Sequence, residues 1–169
     1  MHKKVVIISS IFSLAFVAIF IFLLFSPYFY DVNANTQTLN HLVYGYQIGL
    51  GKDGTSDVYI KGSLFVLICY ACGLLSFVLI LSFLLWFIFS KKRNAPMMYF
   101  LLGIILFCLC LVTSSLILSW PIYQSLNASK MDNAIFTWQY FVSLITMILA
   151  TLINFYQIIY IAMNKRRNV

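Results

Sequence analysis

Apolar positions run almost without interruption through four stretches of the chain, at about 5–25, 62–89, 97–120 and 135–163. Polar and charged residues collect between them. A helix of about 20 apolar residues crosses a hydrocarbon core of about 30 Å. All four stretches meet that length. The second and fourth exceed it, so they should tilt or extend beyond the lipid. The connection at about 90–96 is short, which makes the second and third spans antiparallel neighbours. Pro96 suits the first turn of the third span, where no intrahelical N–H bond is lost. Pro121, after Trp120, is expected to stop that helix. The pattern predicts an all-α membrane protein: one antiparallel bundle of four transmembrane helices over 1–169.

A different period occupies the connection at about 26–61. There Leu42, Tyr44, Tyr46, Ile48 and Leu50 alternate with Val43, Gly45, Gln47 and Gly49. Period two predicts a strand. Gly51-Lys52-Asp53-Gly54 supplies turn chemistry, and Val58, Tyr59 and Ile60 form a returning strand. An isolated hairpin is marginal in water, so this one should pack on the helix ends or gain a third strand. Its apolar face (Tyr44, Tyr46, Ile48, Leu50, Val58 and Ile60) is either a cap on the bundle or a surface for another protein. The connection at about 121–134 is short and polar. Asn127-Ala128-Ser129 matches an N-glycosylation sequon, which has meaning only in a eukaryotic secretory pathway.

Charge orients these elements. Of the eleven Lys and Arg residues, eight lie in three clusters: Lys3-Lys4, Lys91-Lys92-Arg93 and Lys165-Arg166-Arg167. Asp31, Asp53, Asp57 and Asp132 all lie in the other two connections. Basic residues beside spans mark the cytoplasmic side. Both termini and 90–96 are therefore expected in the cytoplasm of a cell-membrane protein, where they attract anionic lipid. The net charge of +7 belongs to this pattern and not to nucleic-acid binding. A signal peptide competes for the first span, with Val32-Asn33-Ala34 as a cleavage site. The apolar run is longer than a signal requires, and the bulky segment Pro27 to Tyr30 intervenes, so retention is expected.

Reactive chemistry is scarce. No Asp, Glu, Lys, Arg or His lies within a span, which argues against ion-coupled transport and proton relays. His2 and His41 are the only histidines, and neither is in a span. No metal, cofactor or catalytic group is expected. In the fourth span Gln139, Ser143, Thr146, Ala150, Asn154 and Gln157 share one helical face, an arc of about 80°. Hydrocarbon cannot satisfy their polar groups, so this face should turn inward, as packing or as the lining of a path. Cys69, Gly73 and Ser76 in the second span and Gly103, Cys110 and Ser114 in the third are small residues that let helices approach closely. Cys69-Tyr70-Ala71-Cys72 also resembles the layout of membrane enzymes that generate disulfides by reducing quinone. Those enzymes need outer-loop cysteines, and this chain has none.

Four helices, cytoplasmic ends, a large strand-containing first outer loop and a small second one resemble the claudin-like tetraspan architecture. That family's first loop carries a Trp, a Gly-Leu-Trp and two cysteines. Here the loop has no Trp and no Cys, and Gly49-Leu50-Gly51 stands where the motif would be sought. The resemblance implies a layout and, with it, a noncatalytic adhesion, scaffold or accessory-subunit role through the first outer loop. The partner expected is another membrane or cell-surface protein, or a second copy. Two alternatives remain: a small permease or channel component using the Asn154–Gln157 face, and a thiol-redox enzyme.

Overall fold

The computed structural model describes residues 2–32, 39–50, 64–89, 96–126 and 134–166. Four long helices dominate them: α1 (His2–Leu23), α3 (Leu64–Phe89), α4 (Pro96–Leu126) and α5 (Trp138–Arg166). A short helix, α2 (Gly45–Leu50), lies between α1 and α3 in the chain. Three strands complete the set: β1 (Pro27–Val32), β2 (Leu39–Tyr44) and β3 (Ala134–Phe136).

Three of the long helices are long and apolar enough to cross a membrane, over Lys4–Leu23, Leu64–Trp86 and Trp138–Met163. Among the described side chains of α4 the apolar stretch is Phe100–Ser115. The helices pack in a ring, α1 on α5 and α3, α4 on α5 and α3. Neighbours run antiparallel. Ser9 of α1 meets Gln157 of α5, whereas Tyr28, just beyond α1, meets Thr137 just before α5. Val6 packs near Phe83, and Phe20 packs on Gly73. Cys110 of α4 meets Asn154, and Gly103 meets Ile158.

The distribution of polarity is inverted relative to a water-soluble bundle. Ser9, Ser10, Ser13, Ser76, Thr113, Ser143, Asn154 and Gln157 are buried. Large apolar side chains face outward, Phe22 at 74% and Leu64 at 75% exposure. Lipid removes the drive to bury apolar groups but gives polar groups no partners, so this arrangement suits a membrane.

At one end of the ring sits an antiparallel sheet in the order β2-β1-β3. One strand of the expected hairpin differs in its bounds. The predicted strand over Leu42–Leu50 begins earlier, at Leu39, and ends at Tyr44. Gly45, Tyr46, Ile48 and Leu50 belong to α2 instead. The cause is local. Gly45 N–H donates to Ser26 O at 3.1 Å and Tyr46 N–H to Leu24 O at 2.9 Å, drawing the chain onto the end of α1. Gln47 Oε1 then accepts from Tyr44 N–H at 3.1 Å. A Gln at the third helical position reaching back to the N-cap N–H is half of a capping box. The expected turn at 51–54 and returning strand, with Val58 and Ile60, lie outside the described residues.

Two helix boundaries also differ from expectation. Ala134–Phe136 is strand, so the fourth long helix begins at Trp138 and not at 135. Edge pairing with β1 claims these residues first. And α4 continues past Pro121 to Leu126. Proline's fixed φ is itself helical, and the ring removes only one N–H, so a helix can pass through when the freed carbonyl finds another partner.

Candidate functional site

The sheet is fastened to the helices by side chains from both. Tyr70 of α3 donates its hydroxyl to Gly45 O at 2.5 Å. Thr137, the residue before α5, donates from Oγ1 to Pro27 O at 2.6 Å and from N–H to Tyr28 O at 2.9 Å. Tyr28 points inward from β1 and meets Tyr140 edge-on, with ring centroids 5.8 Å apart. Phe136 also meets Tyr140, its ring tilted by 37° with centroids 4.8 Å apart. Buried tyrosines bring a large apolar body and a polar tip, and here the tip of Tyr70 pins backbone. The Tyr28 hydroxyl has no hydrogen-bond partner. Ser143 lies beside it but donates to Tyr140 O at 3.1 Å. Burial pushes the Tyr28 phenol well above its ordinary value of 10.0.

Gly45 is packed closely where the sheet meets the end of α1. A Cβ there would stand 2.9 Å from Tyr28 Cζ and 3.0 Å from the Leu24 carbonyl oxygen. No larger residue fits without moving backbone. Beyond Gly45 the surface turns outward. Tyr44 is half-buried and stacks on Tyr46, 5.9 Å between centroids; Tyr46 also meets Phe25. Leu50 is 69% exposed. The side chain of Ile48 lies outside the described residues.

A second polar group lies inside the ring. Gln139 is half-buried, while Ser143, Thr146, Asn154 and Gln157 are buried, as is Ala150. Cys69, Gly73, Ser76, Gly103, Cys110 and Ser114 are buried too. Gly73 abuts the Phe20 ring and Gly103 the Ile158 side chain. The bonds between helices are few. Ser9 Oγ donates to Gln157 Oε1 at 3.2 Å, and Asn154 Nδ2 to Cys110 Sγ at 3.5 Å. Cys69 Sγ donates to Thr113 O at 3.3 Å. Most hydroxyls turn back to their own helix, as Thr146 does to Ser143 O and Thr151 to Met147 O. The four cysteines are free thiols.

No protein-family model matches the sequence, and no curated protein matches it significantly. Among the described residues no group of three or more His, Cys, Asp or Glu side chains is placed to hold a metal. What the two sites offer chemically is hydrogen bonding and shape.

Sequence reading overlooked Tyr28, Tyr70 and Thr137, and the serines of α1. Ser9 and Ser13 are four apart in an otherwise apolar run, a helical spacing that was available as a signal. Thr137 and Tyr28 carried none. Their roles depend on contacts across more than a hundred residues of chain.

Proposed function

We propose that the protein is a noncatalytic scaffold, adhesion or accessory subunit of a membrane assembly, working through its outer surface. In this reading it spans the membrane four times, with both termini and 90–96 in the cytoplasm of a cell-membrane protein. Three apolar helices and the basic clusters support the layout. The observation that carries the functional reading is the fastened outer sheet. Tyr70 and Thr137 hold β1 and the β2–α2 junction against the helix ends, and Tyr46 and Leu50 stand exposed beyond that junction. A rigid support with exposed aromatic and aliphatic side chains is how an interface avoids the cost of ordering a loop on binding. The partner in this reading is another membrane protein or a second copy, whose outer surface lies at the same height. The claudin-like resemblance agrees in layout.

Photocrosslinking from position 50 in cells tests it. A discrete adduct with a membrane protein or a second copy is expected, lost when Tyr46 becomes Asp. Only lipid adducts, or adducts unchanged by Tyr46→Asp, would overturn the reading.

A further inference from the structure

Helix geometry aligns the polar side chains of α1 and α5 in two rungs. At the first, Ser9 Oγ shares its proton between Val6 O of its own helix at 3.0 Å and Gln157 Oε1 of α5 at 3.2 Å. One turn further along α1 stands Ser13. Because α5 runs the other way, its corresponding position is Asn154, about one turn before Gln157. Both are enclosed, Ser13 at 0% and Asn154 at 1% exposure. Yet this second rung is open. Ser13 Oγ and Asn154 Oδ1 have no hydrogen-bond partner, and neither has Gln157 Nε2. Asn154 Nδ2 turns away to Cys110 of α4.

The three unpartnered atoms define what would satisfy them. Asn154 Oδ1 requires a donor, Gln157 Nε2 an acceptor, and the Ser13 hydroxyl can serve as either. A single occupant must therefore donate and accept. It must be small, because the surrounding side chains are enclosed. It must be neutral, because neither segment 5–23 of α1 nor 138–163 of α5 carries an ionisable Asp, Glu, Lys, Arg or His to balance a charge. Water meets all three conditions.

We propose that water occupies the second rung and bridges Ser13, Asn154 and Gln157, making a hydration site inside the apolar core. Ser13 is nine residues from Lys4, about 13.5 Å along α1, with the closed rung at Ser9 between them. The inference rests on the α1–α5 seam alone and is independent of the outer surface.

The test is water-to-amide polarisation transfer by solid-state NMR on the full chain in lipid bilayers. The Asn154 and Gln157 side-chain amides are assigned by their loss in Asn154→Leu and Gln157→Leu. Transfer from water to both is expected in the wild type. Ser13→Val should reduce transfer to Asn154 to the level of the lipid-facing Leu152 backbone amide. Ser13→Thr, matched in volume but keeping the hydroxyl, should retain it. Absence of transfer to Asn154 in the wild type would overturn the proposal, and so would transfer unchanged in Ser13→Val. If neither variant folds, the wild-type spectrum decides.

Discussion

Gly45 shows how one side chain's absence shapes the sheet end of the bundle. A Cβ on Gly45 would stand 2.9 Å from the Tyr28 ring and 3.0 Å from the Leu24 carbonyl oxygen. Gly45→Ala should therefore lower stability by about 1–3 kcal/mol, the usual range for forcing atoms into a packed site. Thermal unfolding in detergent measures it, and an unchanged melting temperature would refute the close packing. Tyr28 makes the opposite prediction. Its hydroxyl is buried without a partner. Tyr28→Phe removes that burden, so it should be neutral or stabilising by up to about 1 kcal/mol. The same burial raises the phenol's pKa above 10.0 in the folded chain. A raised pKa stabilises the fold fully below the unfolded value and progressively less above it. Alkaline destabilisation beginning near pH 10 should accordingly be weaker in Tyr28→Phe than in the wild type.

At the scale of elements, α2 and the sheet decide how the sheet end of the bundle is built. Gln47 caps α2 by accepting from Tyr44 N–H. Gln47→Ala should loosen this helix at a cost of about 0.5–2 kcal/mol, comparable to losing a cap. Hydrogen exchange at residues 44–50 should quicken while exchange in α3 stays slow. Quickening in both would mean that α2 and the bundle unfold together. This segment also shows what the sequence made legible. The long helices follow from continuous apolar runs, which admit few other structures. Tyr44 to Leu50 carries period-two hydrophobicity, yet a Gln placed for capping and a Gly placed for contact override it. β1 has the sequence Pro-Tyr-Phe-Tyr-Asp-Val, without clear alternation, and β3 is three residues long. Both acquire strand geometry from pairing with each other, and no local pattern announces that. The inward polar face of α5 was legible because amides in an apolar helix have one acceptable direction. Which atoms of that face lack partners depends on α1 and α4, and only coordinates supply it.

For the whole molecule, polar seams lie inside, apolar side chains lie outside, and the sheet sits at the end away from Lys4. Three helices meet the length and composition of a span, and the fourth crossing is part of the proposal. The topology can be measured with a membrane-impermeant maleimide on intact cells. The four natural cysteines lie in α3 and α4, away from both outer connections, so the unmodified chain provides the blank. Lys52→Cys should label from outside without permeabilisation. Lys92→Cys should label only after it. Labelling of position 52 solely after permeabilisation, or of position 92 in intact cells, would contradict the account.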